Sequence, residues 1–447
     1  MTTLAKVISL AKRRGFIYPG SEIYGGLGGT WDYGPLGVEL KNNIKKAFWH
    51  TMIYQRDDVF GIDSAILMNP KVWEASGHVK AFVDPLIECK ICHERLRADQ
   101  KDEIGDHEKS HSGQKVAWTE PRKFNLLVEA KLGVVEDAKQ KVYLRGEITQ
   151  GVHVNFKNVL DSSRVQIPFG IAQIGKAFRN EITPGNFTFR SREFEQMELQ
   201  FYVRPEKEES KKWYEYWRQE RLNWYLRLGI NKKKLRFRQH RESERAHYAK
   251  DAWDIEYESP FSTIGGSASD GGWKEFEGIH DRGDWDLKQH QQYSGVDLSY
   301  YDQESGQHFL PWIIETSGGV DRAALFFLID AYCESEGRIV LKLNPKLAPY
   351  KVAVFPLLAN KPDLVKKAKD VYRLLSIDHR LLPIQWDDRG NIGKRYFAQD
   401  EIGTPYCVTV DFQTLEDDTV TIRDRDTTKQ ERVKSSTLVE IISKKIA

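Results

Sequence analysis

The sequence predicts two folded units: an α+β region over residues 1–342 and an α/β domain over residues 343–447. Three observations predict it. Strand-like segments dominate between residues 165 and 315, and the segment 193–203 sorts its side chains by parity, as a half-buried strand must. Residues 343–349, Leu-Asn-Pro-Lys-Leu-Ala-Pro, carry two prolines and read as a linker. Beyond them, apolar strand segments alternate with helical ones over short connections, the pattern of a sheet covered by helices.

Taken in order, the chain begins Met1-Thr2-Thr3-Leu4-Ala5-Lys6-Val7, with basic residues after a short apolar stretch. That order is wrong for a signal peptide and suits the start of an ordinary helix. Gly25-Gly26-Leu27-Gly28-Gly29 lacks the Gly-Lys-Ser/Thr ending of a phosphate loop and reads as turn structure ahead of a helix at 36–52. Residues from about 85 to 118 form a polar, charged insertion. It opens with Cys89-x₂-Cys92, and His107-x₃-His111 follows after fourteen residues, the spacing of a four-ligand zinc site. His93 is a rival ligand, and polar insertions also carry histidines without a metal, so spacing alone leaves both readings open. Cys333 and Cys407 read as core residues.

Residues 179–198 concentrate the chemistry. Arg179 and Glu181 share a face, Thr183-Pro184-Gly185-Asn186 is turn chemistry, and Arg192, Phe194, Gln196 and Glu198 share one face of the second arm. Met197, Leu199, Phe201 and Val203 line the opposite face. One face packs, and the other offers guanidinium forks suited to phosphates, a ring suited to a base, and carboxylates suited to an ammonium. A surface hairpin of alternating charge is the competing reading.

Two more segments share this character. Residues 311–322 run from strand to helix, placing Ile313, Glu315 and Ser317 on one face and Arg322 in the first helical turn, where free N–H groups favour anions. Residues 271–282 put Glu275 and Glu277 on one strand face, as a phosphate-bound Mg²⁺ would use them, or as a solvated acidic face would. In the tail, the strand 351–358 is followed by a helix at 361–376, a strand at 380–386, Gly390-Asn391-Ile392-Gly393-Lys394-Arg395-Tyr396 and a strand at 405–410. No G-x-G-x-x-G follows the first strand, which excludes a dinucleotide-binding reading.

Bulk properties narrow the class. No run of 18 apolar residues exists, so no membrane-spanning helix is expected. Four cysteines in 447 residues make no disulfide framework, which points to the cytosol. The net charge of +2 conceals a segregation: residues 204–250 hold 15 Lys/Arg against 7 Asp/Glu, and residues 251–287 hold 2 against 10. The basic block could face RNA phosphates, but its Trp213, Tyr214, Tyr216, Trp217, Trp224 and Tyr225 read as a helical core stripe.

Arg-Asn-Glu, a loop and Arg-Glu-Phe resemble motif 2 of class II aminoacyl-tRNA synthetases, and Glu-Phe-Glu-Gln-Met-Glu (193–198) narrows the resemblance to glycyl-tRNA synthetases. The likeness runs almost end to end. Residues 312–322 resemble motif 3, with Thr316 and Gly318 where the family has proline and alanine. Tyr143-Leu144-Arg145-Gly146-Glu147-Ile148-Thr149-Gln150-Gly151 resembles the family's Leu-Arg-Pro-Glu-Thr-Ala-Gln-Gly, keeping Glu147 but carrying Gly146, Ile148 and Thr149 in place of Pro, Thr and Ala. Losing that proline loosens the backbone beneath the carboxylate. The tail resembles the anticodon-binding domain that glycyl-, histidyl-, prolyl- and threonyl-tRNA synthetases share, and related insertions often close with a second C-x₂-C that is absent here.

The resemblance implies an antiparallel catalytic sheet flanked by helices, homodimerisation through the helix at 36–52, and ligation of glycine to tRNA(Gly) with ATP and Mg²⁺ in the cytoplasm, with no membrane partner. Arg179, Glu181 and Arg322 would be catalytic: Arg179 on the α-phosphate, Glu181 and Arg190 fixing the nucleotide, Arg322 on the γ-phosphate. Phe194 would stack on adenine and Glu275 would hold Mg²⁺. Asn180, Phe189, Arg192, Phe276, Glu315, Ser317 and Gly318 would complete the ATP site. Glu147, Glu198 and Glu315 would grip the glycine ammonium, with Arg97, Phe194, Gln196 and Ser317 around them. A non-catalytic, synthetase-like nucleic-acid-binding protein is the alternative, disfavoured because Arg179, Glu181, Glu275 and Arg322 are all present.

Overall fold

The computed structural model describes residues 4–112, 114–133, 140–246, 248–260, 272–335 and 337–446. Gly271, the first residue of the acidic-strand segment, lies outside them. A seven-stranded sheet organises the first region. Its strands are β1 (Val59–Ile62), β2 (Phe169–Phe178), β3 (Glu193–Val203), β4 (Leu235–Gln239), β5 (Asp251–Glu258), β6 (Trp273–Gly283) and β7 (Trp312–Gly319), in the order β4-β5-β6-β7-β3-β2-β1. Every pairing is antiparallel except β1 on β2.

Parity on β3 sets the two faces. Met197, Leu199, Phe201 and Val203 are all 0 % exposed and join a core with Tyr214, Trp217, Trp224 and Tyr225 of helix Lys207–Arg227. Four of the six aromatics are therefore packing, each large side chain contributing roughly 1.5–3 kcal/mol, while Trp213 is partly buried and Tyr216, 39 % exposed, falls outside the expected core stripe because it lies on the solvent side of the helix. Helices Pro35–Trp49 and Val320–Ala331 cover the same face. Lys41 of the former bonds Asp321 of the latter at 2.8 Å and Glu195 of β3 at 3.1 Å, which ties the three elements together.

Two local departures from the regular pattern matter. The connection from β2 to β3 is a loop, with a 3₁₀ turn at Phe187–Phe189 and a single bridge between Gly185 and Arg190, not a tight hairpin. Phe187 there takes φ +59°, unusual for an aromatic residue, and its ring is anchored edge-on to Trp31 at 4.5 Å. On β6, Glu277 pairs with Ile255 and Glu275 with Glu256, so Phe276 is an unpaired bulge residue. The expectation that Glu275 and Glu277 share a face is corrected by that bulge, which reverses parity between them.

The insertion is folded: Val83–Glu88 pairs with Arg95–Arg97 and with Arg122–Asn125, and helix Lys101–Ser110 packs alongside. In the tail, Val352–Pro356 lies parallel to Ile384–Trp386 and Tyr406–Val410, and the antiparallel pair Thr419–Asp424 and Gln430–Lys434 extends the sheet. The strand expected at 380–386 shortens to three residues because Pro383 has no N–H for a ladder. Arg425 fastens the tail to the linker, donating to Leu343 O at 2.9 Å and Gly403 O at 2.7 Å. Cys407 is buried and Cys333 partly so.

Candidate active site

A cavity of about 450 Å³ opens on the polar face of the central sheet. β3 presents Phe194, Gln196 and Glu198 to it, β7 presents Glu315 and Ser317, and β6 presents Glu275, Gly278 and His280. Register brings these residues together: Glu198 is paired with Ser317, and Gly278 with Ser317 from the other side. One end of the cavity is acidic and closed, the other basic and open to the insertion.

At the acidic end Glu147, Glu198 and Glu315 converge, none more than 8 % exposed. Their charges are managed differently. Burial opposes ionisation of Glu147, but His78 at 3.3 Å and Arg282 outweigh it and hold the carboxyl at about 2. Burial likewise opposes Glu315, yet Arg282 at 2.9 Å and His280 at 2.7 Å keep it well below the usual carboxylate range. Glu198 has no ion-pair partner among the described residues, and burial, then Glu315 and Glu147, push it up to about 8. Thr149 Oγ1 lies 2.6 Å from Glu198 and 3.0 Å from Glu315.

A second layer orients these acids. Asp286 receives Arg282 Nε at 2.7 Å and Gln150 Nε2 at 3.1 Å, and the same Gln150 amide donates to Glu147 at 3.0 Å. Arg282 lies under the Tyr248 ring at 3.6 Å. Arg145 holds the Glu147 loop by donating to Lys176 O at 2.6 Å and Ser64 O at 2.8 Å. A side chain at Gly146 would come within 2.9 Å of the Phe82 ring, so that ring fills the space the glycine leaves.

At the basic end, the Arg179 guanidinium lies between the Phe82 and Phe194 rings, 5.2 Å from each centroid, and Nε donates to Gly146 O at 3.0 Å. Arg190 stands 3.9 Å from Glu181, and Arg97 pairs with Asp84 at 2.8 Å at the cavity mouth. Arg322 lies over Phe189 at 4.5 Å and pairs with Glu275 at 3.0 Å, and that arginine is the main cause of the depressed Glu275 pKa.

Four expected residues do not line the cavity. Phe276 is 0 % exposed and packs on Tyr225, Tyr257 and Phe326, the bulge having turned it into the core. Gly318 faces the same core: a Cβ there would lie 3.0 Å from Glu277 Oε2. Arg192 donates instead to Glu181 O at 3.1 Å and Gly28 O at 2.7 Å, fixing the β2–β3 loop to the glycine-rich turn. Asn180 is exposed, and its backbone N–H donates to Leu126 O at 2.8 Å. Glu277 is likewise withdrawn, bonded by Arg221 at 2.5 and 2.8 Å and Tyr225 at 2.6 Å beneath the sheet.

Sequence reasoning missed Phe82, Thr149, Tyr248, His280 and Arg282. His280 and Arg282 were findable by parity once a bulge before Glu277 was allowed. Thr149 is one of three departures beside Glu147, and the sequence alone gives it no role. Phe82 and Tyr248 carry no local signal.

In the insertion, Cys89, Cys92, His107 and His111 each aim one donor atom at a common point, all within 4.8 Å of one another. The Nε2–Nε2 distance is 3.1 Å, and Sγ–Nε2 distances are 3.8 Å from Cys89 to His111 and 3.5 Å from Cys92 to His107. Tetrahedral zinc with Zn–N of about 2.0 Å and Zn–S of about 2.3 Å needs separations of roughly 3.3–3.8 Å. The two Sγ–Nε2 distances meet that, while the 3.1 Å ring pair must part slightly and the widest pair, within 4.8 Å, draw in, so the donor set fits after small side-chain shifts. Burial raises the Cys89 thiol, but the N–H groups of Cys92 and Ile91 and the His107 ring bring it down to about 6.

Residues 130–334 match the model of the tRNA synthetase class II core domain (G, H, P, S and T), and residues 351–445 match the anticodon binding domain. A solved prolyl-tRNA synthetase from Cryptosporidium parvum shares the fold, with a TM-score of 0.65 at 16 % identity over 98 % of this chain and 74 % of its own. Glycine–tRNA ligases from Thermobifida fusca and Borreliella burgdorferi are each 50 % identical, covering 99 % and 100 % of this chain and 97 % and 98 % of their own lengths. The chain belongs to the glycine–tRNA ligase family of class II aminoacyl-tRNA synthetases.

Proposed function

We propose that this chain activates glycine with ATP to glycyl-adenylate and transfers the glycyl group to the 3′ end of tRNA(Gly). One observation carries the reading: three buried carboxylates close one end of a cavity whose other end holds Arg97, Arg179, Arg190 and Arg322. An amino acid with no side chain offers an ammonium and a carboxylate. The acidic end takes the ammonium, leaving the carboxylate directed at the arginines.

In the first step the glycine carboxylate attacks the α-phosphorus of ATP and pyrophosphate leaves. Arg179 neutralises charge on the α-phosphate, with Phe82 and Phe194 keeping its guanidinium in plane, and Phe194 bears the adenine. Arg322 takes the γ-phosphate and Glu275 a Mg²⁺, which supplies charge neutralisation on the phosphates when bound. The Arg322–Glu275 pair is thus exchanged for a phosphate on one side and a cation on the other. Catalysis is positioning and charge stabilisation, with no covalent nucleophile. In the second step a ribose hydroxyl of the terminal adenosine takes the glycyl group. Alanine and serine are rejected by volume, since a methyl forced into a packed wall costs about 1–3 kcal/mol.

The 351–445 domain would bind the tRNA. Zinc would be held by Cys89, Cys92, His107 and His111, staking the insertion beside the cavity mouth. A homodimer would form through helix Pro35–Trp49 and the strand Val59–Ile62 that follows it. No helix among the described residues is long and apolar enough to cross a membrane. Pyrophosphate–ATP exchange with glycine, alanine, serine and proline offered separately tests the reading: exchange with glycine alone supports it, and RNA binding without exchange favours a non-catalytic relative.

A further inference from the structure

Thr149 stands where the resembled family carries alanine. It is 1 % exposed, and its Oγ1 lies 2.6 Å from Glu198 Oε2 and 3.0 Å from Glu315 Oε1. Both contacts are hydrogen-bond short, yet a hydroxyl donates one proton. With both carboxylates ionised, one contact would oppose lone pairs on lone pairs, so a second proton belongs to the trio. Its position follows from the donors already present. Glu315 is served as an anion: Oε2 accepts from His280 Nδ1 at 2.7 Å and Arg282 Nη1 at 2.9 Å, and Oε1 from Gln200 Nε2 at 3.0 Å. Glu198 Oε1 accepts from Ser317 Oγ at 2.7 Å and Gln196 Nε2 at 3.0 Å, and Glu198 Oε2 meets Thr149.

We propose that Thr149 is a positioning residue that holds the proton of the amine pocket: in the empty pocket Glu198 is a neutral acid donating to Thr149 Oγ1, Thr149 donates to Glu315, and an incoming ammonium displaces the Glu198 proton to solvent. Atoms balance simply. Glu198 loses one proton, the ammonium keeps its three and takes over the contact with Glu198, and Thr149 goes on donating to Glu315. The charged groups facing Glu198 agree with this. Glu147 and Glu315 crowd it from the Glu147 loop and β7, Arg145 stands behind that loop, and His280 and Arg282 of β6 are spent on Glu315. Burial, then the charges of Glu315 and Glu147, raise the Glu198 pKa, which is the same direction, whereas a Thr149 hydroxyl turned to donate to Glu198 would lower it. The proposal rests on the assignment of this end of the cavity to the substrate ammonium.

Calorimetric titration of the full chain with glycine, in two buffers of different ionisation enthalpy, counts released protons. At pH 7 about one proton per glycine is expected, falling to about half at pH 8. In pyrophosphate exchange the glycine KM should fall about tenfold per pH unit between pH 6 and 7, a slope the ATP KM lacks. Thr149→Val keeps the volume and removes the hydroxyl that accepts from Glu198. Its midpoint should move down by about one pH unit, because the neutral acid loses its acceptor, while Thr149→Ser should keep the wild-type midpoint. Glycine binding without proton release overturns the proposal, as does a Thr149→Val midpoint equal to wild type. If Thr149→Val does not fold, the wild-type proton count decides. Exchange that never depends on glycine would instead bring down the amine assignment itself.

Discussion

Glu198→Gln should make the empty protein more stable while disabling it. An unfolded chain releases this proton near 4.5, whereas the pocket holds it to about 8. Between those values the folded state keeps a proton that the unfolded state has lost. Each unit of rising pH therefore weakens folding by about 1.4 kcal/mol, and the effect ends below 4.5. The accumulated loss is about 1 kcal/mol at pH 5, about 3 at pH 7, and approaches about 5 above pH 8. Glutamine is neutral throughout and reproduces the hydrogen bonds of the protonated acid, its amide donating to Thr149 and its carbonyl accepting from Ser317 and Gln196. The variant should exceed wild type by about 3 kcal/mol at pH 7. Denaturant midpoints of the glycine-free full chain at pH 5, 7 and 8 give the comparison, since a two-domain chain has no single unfolding free energy. A stability difference that is absent, or flat with pH, refutes the charge assignment. The same variant should raise the glycine KM about 100-fold through lost charge-assisted bonds, with little change for ATP. Equal effects on both would remove Glu198 from the ammonium site.

Arg322→Ala should cut pyrophosphate exchange by about 10²–10³-fold and raise the ATP KM, with the glycine KM nearly unchanged; a matching glycine effect would place Arg322 elsewhere. Phe276→Ala should cost about 3–5 kcal/mol of stability yet leave the ATP KM intact at a permissive temperature, and a raised ATP KM would return Phe276 to the pocket. Elemental analysis should find one zinc per chain and Cys92→Ser should lose it; a metal-free wild type would reduce the insertion to a metal-independent fold. Arg221→Met should be tolerated poorly, costing about 3–5 kcal/mol, because Glu277 would remain buried without its cation, and Glu277→Gln on that background should recover part of the loss.

Strand parity is legible in a sequence wherever a strand stays regular. On β3 it separated Phe194, Gln196 and Glu198 from the packing residues Met197, Leu199 and Phe201, and on β7 it put Glu315 and Ser317 together. It failed on β6, where the unpaired Phe276 reverses the faces, so Glu277 goes to the core and His280 comes to the cavity. Nothing in the local sequence marks that bulge. Arg192 misled for a different reason: an arginine in a motif looks like a phosphate ligand, and only the fold reveals carbonyls of Gly28 and Glu181 waiting for it.

What no single segment could disclose is how three acids coexist in one buried end. Each is met by another part of the chain: Glu147 by the His78 ring from 69 residues upstream and the Gln150 amide, Glu315 by Arg282 and the His280 ring from β6, and Glu198 by a proton. The distribution has a consequence for recognition. A carboxylate whose lone pairs are already engaged has little to gain from a further cation. Glu198 alone of the three can trade a proton for the substrate's ammonium at no loss of neutrality. The residue that looks least ready to bind a cation in the empty pocket is for that reason the one best placed to select it.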